Sequence, residues 1–167
     1  MDVVRRNIQD IGGNVLIESA QDVGTKLRIS LPLTLAIVDG MTIKTGAERF
    51  VLPLNHISEC LQPSVDQLHN MGSLGWVLNL RGEHLPILSL GKLFNITGAI
   101  DSLEQNILIV VQVLQNRYAL AVDQLIGQQQ VVVKSIEKHY KRVPGTSGAT
   151  ILGDGSVALI LDAATLC

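Results

Sequence analysis

Aromatic residues are scarce: Phe50, Phe94, Trp76, Tyr118 and Tyr140 make up 3% of the 167 positions. A core must therefore rest on Leu, Ile and Val, and the stacking platforms that hold single-stranded nucleic acid are lacking. Charge of one sign is lacking too. Thirteen Lys and Arg face fifteen Asp and Glu, for a formal net charge of −2. That balance gives no pull toward nucleic acid or an anionic membrane, and both shortages disfavour an oligonucleotide-binding barrel. The two cysteines, Cys60 and Cys167, are too few for a disulfide scaffold and fit a reducing compartment, with Cys60 expected as a small core residue rather than a nucleophile. No apolar run reaches 18 residues, so no membrane span is expected. The opening MDVVRRNIQDIGG is charged and lacks a signal-peptide apolar region.

Chemistry-bearing patterns are equally thin. None of His56, His69, His84 and His139 has a second ligand at metal spacing, and no His-Glu-x-x-His occurs, which argues against a metal site. His84, in a hairpin, is expected at the surface. No Gly-x-Ser-x-Gly elbow is present, and Asp39, Asp123, Asp154 and Asp162 lie beside turns or strand ends, where short acidic residues are ordinary. The basic stretch 134–142, KSIEKHYKR, reads as a solvated connector. Nothing points to catalysis by this chain.

What is present is aliphatic and repetitive. Hydrophobic residues make up 47% and charged residues 17%, a globular composition on the apolar side. Residues 49–57, RFVLPLNHI, are echoed 68 positions later by 117–125, RYALAVDQL. Residues 82–93, GEHLPILSLGKL, are echoed 73 positions later by 155–166, GSVALILDAATL. Two echoes in the same order suggest one folding unit used twice, meeting along a seam where partners can dock.

The patterns read as β structure. Apolar positions in 1–11 have helical spacing and end at Gly12-Gly13. Strand-like runs follow at 15–19 and 25–31, the second alternating Leu27, Ile29 and Leu31 against Lys26, Arg28 and Ser30. One helix and one hairpin cannot bury a core alone, so this opening reads as part of something larger. From residue 33 strands are expected at 36–44, 49–54, 75–80, 85–90, 106–114, 117–122, 130–134 and 156–161. Hairpin turns are expected at Gln115-Asn116, 81–83 and Asp154-Gly155. Two small barrels of similar build are the expected architecture, with a hinge in 96–106. The run Leu125-Ile126-Gly127, Gln128 to Gln130, Val131-Val132-Val133 mixes aliphatics with uncharged polar residues. That mixture suits an interface that is both apolar and hydrogen-bonded, with Gln129 expected at its rim.

The strings MDVVRRNIQDIGGNVLIESA, VGTKLRISLPLTLAIVDGM, RFVLPLNHI, VDQLIGQQQVVVK and VPGTSGATILGDGSVALI together resemble the C-terminal end of the chemotaxis histidine kinase (CheA) family. The resemblance implies that residues 1–33 are a helix-plus-strands remnant of an α/β ATP-binding domain. It implies that residues 34–167 are a CheW-like regulatory domain, mainly β, of two SH3-like five-stranded barrels with a hydrophobic groove between them. Asp2 matches the start of the helix that follows the family's ATP lid and Thr25 the Gly-Thr near its nucleotide pocket, but the phosphoacceptor histidine and the Gly-rich nucleotide motifs are absent from this chain. No enzymatic activity and no cofactor are therefore expected here, ATP belonging to the full-length parent. The implied partners are a CheW-type coupling protein and the cytoplasmic tips of chemoreceptors, with Leu125, Ile126, Gly127, Val131, Val132 and Val133 as the expected docking residues. The implied setting is cytoplasmic, at chemoreceptor arrays, in a parent that dimerises through a domain outside this chain. The competing expectation is a nucleotide-binding fragment with residual ATP affinity.

Overall fold

The computed structural model describes residues 2–10, 13–31, 37–134 and 143–166. It divides into two compact units, Met1–Ile37 and Val38–Cys167.

In the first unit, helix α1 (Asp2–Asp10) ends where the Gly13 N–H donates to the Ile8 carbonyl at 2.8 Å. Strands β1 (Asn14–Ala20) and β2 (Gly24–Ser30) form an antiparallel hairpin, Val15 opposite Ile29 and Ile17 opposite Leu27. Among the described residues of this unit Val15 is buried, whereas Val3, Leu16, Ile17, Leu27 and Ile29 are exposed. The apolar side of β2 is thus largely open in the described residues.

The second unit holds two sheets. Strands β3 (Ile37–Thr45) and β4 (Glu48–Pro53) form a hairpin, followed by β5 (Ile57–Leu61), β6 (Leu68–Asn70), β7 (Trp76–Leu80), β8 (Glu83–Ser89) and the short helix α2 (Leu90–Leu93). A second hairpin, β9 (Ile107–Val113) and β10 (Asn116–Val122), leads into β11 (Gln124–Val132), β12 (Thr146–Ile151) and β13 (Val157–Leu161). The strand orders are β5-β9-β10-β8-β7-β6 and β11-β3-β4-β13-β12. One end of β11 meets β12 through Lys134 and Ala149, whose backbone N–H groups donate to each other's carbonyls at 2.9 and 3.1 Å.

Strand register carries the duplication. In the first hairpin Ile43 lies opposite Phe50; in the second Val111 lies opposite Tyr118, each residue moved by 68. Strand β13 runs parallel to β4 with Ile160 beside Val51. Moving Ile160 back by 73 and Val51 forward by 68 gives Ile87 beside Ala119, the pair found between β8 and β10. Both offsets are satisfied by one pairing.

The halves are nevertheless not one sheet each. The strand after each hairpin crosses over, so the first hairpin sits with β11 to β13 and the second with β5 to β8. This corrects the picture of two barrels, each folded from one half. The expected hinge, residues 96–106, is tied to its surroundings by the Ile96 N–H, which donates to the Gly91 carbonyl at 2.8 Å, and by the Ile100 N–H, which donates to Asp123 Oδ1 at 3.1 Å, while Asn106 Nδ2 donates to the Ile100 carbonyl within the segment. The second hairpin turns at Leu114-Gln115, one residue earlier than expected, because Val113 pairs with Asn116.

Three core clusters result, and strand alternation sorts residues among them. Phe50 and Leu52 of β4, Ile109 and Val111 of β9, and Tyr118, Leu120 and Val122 of β10 share the central one. The intervening residues face the other way: Leu108, Val110, Ala119 and Ala121 pack inside the six-stranded sheet, and Val51 packs with Val131, Leu152, Ala158 and Ile160 in the five-stranded sheet. The hairpin strands are buried on both faces, which is why they read as unbroken apolar runs. The centre of the seam is filled by side chains.

Candidate interaction surface

Strand β11 is the element singled out by its aliphatic and glutamine mixture. It pairs with β3 along one side, and its side chains alternate. Leu125 packs on the central core, Val131 and Val133 on the five-stranded core, and Gly127 is half-buried between them. Gln124, Ile126, Gln128, Gln130 and Val132 face outward, Ile126 with 48% and Val132 with 43% of their surface exposed. The six expected docking residues therefore divide into four that support the strand and two, Ile126 and Val132, that a partner would meet. The three glutamines divide as well. Gln128 and Gln130 are exposed, whereas Gln129 is half-buried and its Nε2 donates to the Thr42 Oγ1 at 2.9 Å. Thr42 is itself buried, so Gln129 satisfies an interior hydroxyl rather than standing at a rim.

A second apolar surface was not visible in the sequence. Val65, Met71 and Leu74, on the connections flanking β6, and Trp76, the first residue of β7, are all exposed, Leu74 at 77%. Turn residues interrupt these positions, so no periodicity marks them.

The charged groups near the repeats act as staples. Arg49 of β4 pairs with Asp154 and donates to Ser156 Oγ at 3.2 Å. Arg117 of β10 pairs with Glu83. Arg117 thus ties its hairpin to the parallel strand β8, and Arg49 ties its hairpin to the turn that leads into the parallel strand β13. Asp154 is held at about 2, below its ordinary 3.8, by hydrogen bonds from the Ser156 hydroxyl and backbone N–H and then by Arg49.

The remaining expectations are placed as follows. Asp2 opens α1 and is exposed; Thr25 lies on β2, its hydroxyl 3.2 Å from that of Ser19. Cys60 is exposed on β5 rather than in the core, because alternation there turns Ile57, Glu59 and Leu61 inward. Partial desolvation, followed by the neighbouring Glu59 charge, pushes its thiol pKa up, which disfavours the nucleophilic thiolate. His84 is exposed, its ring 6.4 Å from that of His69. Of the basic stretch 134–142, only Lys134 lies among the described residues. Among the described residues no group of His, Cys, Asp and Glu is arranged to hold a metal, and no helix is long and apolar enough to cross a membrane.

Two sheets sharing a central core, with register conserved at both offsets, define a duplicated, mainly β module. The CheW-like domain model matches residues 39–167, and the chain belongs to that family. It is 55% identical over 166 residues to the chemotaxis protein CheA of Salmonella typhimurium, covering 99% of this chain and 25% of that protein. It is 38% identical over 165 residues to chemotaxis protein CheA of Bacillus subtilis, covering 97% of this chain and 24% of that protein. The chain thus spans about a quarter of the length of these relatives. The crystal structure of the scaffolding protein TtCheW from Thermoanaerobacter tengcongensis superposes with a TM-score of 0.62 at 18% identity, covering 75% of this chain and 88% of that one.

Proposed function

We propose that this chain is the regulatory interaction module of a chemotaxis histidine kinase. It binds a CheW-type coupling protein and chemoreceptor tips, and so connects receptor state to kinase activity at cytoplasmic arrays. The observation that carries the reading is the outward row on β11. Ile126 and Val132 are held out by a strand whose inner face is already packed, so they are free to lose water to a partner rather than to the core. Gln128 and Gln130 between them supply hydrogen bonds at low desolvation cost. The exposed Val65, Met71, Leu74 and Trp76 offer a second contact face on the same module. In this reading each sheet corresponds to an SH3-like barrel, the five-stranded one closed by the Lys134–Ala149 bridge. Residues 1–33 are a remnant of the ATP-binding domain, and residues 34–167 are the regulatory domain.

Calorimetry of the chain against the coupling protein and against receptor-tip peptides tests this. Ile126→Glu places a charge at the centre of the contact and is expected to weaken coupling-protein binding by about 2 kcal/mol or more. Its circular dichroism and melting temperature should stay near the parent. A folded Ile126→Glu chain that binds with parental affinity removes β11 from the interface. A parallel ATP titration addresses the competing reading. Thr25 and its neighbours offer one or two contacts of about 1 kcal/mol each, against an association cost of roughly 4 kcal/mol or more. No binding is expected, and micromolar ATP affinity would overturn that.

A further inference from the structure

Two Asp-Gly bonds occur in the chain, Asp39–Gly40 and Asp154–Gly155, and the fold treats them differently. Before a glycine, the next backbone nitrogen closes most readily on an aspartyl side chain, because glycine has no Cβ to obstruct the ring. Asp39–Gly40 is laid out in β3, with Gly40 buried opposite Pro53 of β4. Extended backbone in a ladder denies the nitrogen that approach. Asp154–Gly155 lies instead in the exposed turn between β12 and β13, where Gly155 has φ +85°. Every reacting group is held there. The Gly155 N–H donates to the Leu152 carbonyl at 2.9 Å. Asp154 Oδ1 accepts from the Ser156 hydroxyl at 2.6 Å and from its backbone N–H at 3.0 Å, and Oδ2 pairs with Arg49. The equivalent turn of the other copy holds no such bond, since the offset of 73 carries Asp154 to Arg81 and Gly155 to Gly82.

We propose that Asp154–Gly155 is a covalent modification site, an isoaspartate-forming bond that Arg49 and Ser156 keep silent. In the first step the Gly155 nitrogen gives up its proton and bonds to Asp154 Cγ, while a Cγ–O bond breaks and the oxygen leaves as water. The cyclic imide then takes up water. Opening at the side-chain carbonyl restores Asp154. Opening at the main-chain carbonyl breaks that carbon's bond to nitrogen and leaves the chain running through Cγ. The water lost is regained, so mass is unchanged, but the backbone gains a methylene and the free carboxylate moves to Cα. Ring closure requires the Gly155 N–H to leave the Leu152 carbonyl and the carboxyl to gain a proton. Arg49 and Ser156 stabilise the anion instead. The modification acts on the staple itself. With a methylene added between residues 154 and 155, the carboxylate no longer meets Ser156 and Arg49 together, and the tie from β4 to this turn opens. The site stands on the turn alone and does not depend on the outward row of β11.

The test is to incubate the full chain at neutral pH beside a synthetic peptide of residues 151–157, ILGDGSV. Isoaspartate at each Asp-Gly bond is read by peptide mapping with electron-transfer fragmentation, which separates the two isomers despite their equal mass. The free peptide should convert, and Asp154 in the parent chain should convert about tenfold or more slowly. Arg49→Ala and Ser156→Ala should each speed conversion at Asp154 several-fold while Asp39 stays unconverted. Asp39–Gly40 serves as the internal control, because a variant that merely unfolds frees both bonds. A parent chain that converts at the peptide's rate, both variants remaining at the parental rate, or equal acceleration at Asp39 and Asp154 would each overturn the proposal.

Discussion

Phe50 and Tyr118 occupy equivalent points in the two hairpins, both fully buried in the central core. Phe50 stacks obliquely on Phe94 with centroids 5.1 Å apart, whereas the Tyr118 hydroxyl donates to the Ala163 carbonyl at 2.8 Å. One residue earlier, Arg117 reaches Glu83 at the start of the parallel strand β8, and Arg49 reaches Asp154 in the turn that leads into the parallel strand β13. The acid differs in place: Asp154 precedes its turn glycine, Gly155, while Glu83 follows Gly82. The position equivalent to Glu83 is Ser156, which Arg49 also touches. At the hairpin turns Gly46, lying under residues 96–99, contrasts with Leu114 in water. The apolar faces and the register are what the two copies share, since a slip of one residue would exchange the side chains of the central core with those of the flanking clusters. The polar contacts are rebuilt in each copy because several geometries satisfy the same arginine or the same orphaned N–H.

The hardest test of that division is the central core. Tyr118→Ala and Phe50→Ala should each cost about 3–5 kcal/mol in urea unfolding, because either opens the same cluster. A loss below about 1 kcal/mol for one of them would show that the clusters are not shared. On β11, Val131→Glu should unfold the chain or lower its melting temperature severely, since Val131 is 4% exposed in an apolar cluster. Ile126→Glu, five residues earlier on the outward face, should leave that temperature near the parent. Equal effects would mean that the alternation of β11 is wrong. At the turns, Gly46→Ala should cost about 1–3 kcal/mol through its positive φ, +59°, and its contact with Ile96.

The strands buried on both faces were the easiest to read. β4, β9 and β10 are continuous apolar runs, and their expected ranges agree with the structure to within a residue or two. The strands that cross between sheets were harder. β5 was missed because ISECL alternates polar residues outward on a short strand interrupted by a register shift after Ile57. β12, TSGATI, carries two glycine-sized or small residues in a row and reads as a loop. β11 begins at Gln124 rather than at 130 because its glutamines hide a regular alternation. The exchange of strands leaves no local signal at all. It is decided by burial of both hairpin faces, a property of the whole unit. The outward row proposed for docking shows the same limit: the composition of 125–133 marks the strand, and only the pleat separates the exposed Ile126 and Val132 from the residues that hold them.

The finest distinction between the copies is electrostatic, and pH resolves it. The Asp154 carboxylate accepts from the Ser156 hydroxyl at 2.6 Å and from its backbone N–H at 3.0 Å, and Arg49 adds to both. Its folded-state value of about 2 lies below the ordinary 3.8. A carboxylate with a depressed folded value contributes stability in full above the unfolded value and loses it as pH falls through the folded one. The difference in stability between the parent and Asp154→Asn should therefore be constant above about pH 4. It should shrink between 3.8 and about 2 and vanish below. Ser156→Ala, which removes the hydroxyl donor and leaves the backbone N–H in place, should raise the Asp154 midpoint, and Arg49→Ala should raise it as well. Carbon-detected titration of the Asp154 carboxyl checks this directly. A midpoint near 3.8 in the parent, or no shift from Ser156→Ala, would show that the turn does not hold the carboxylate and that the two arginine staples are equivalent after all.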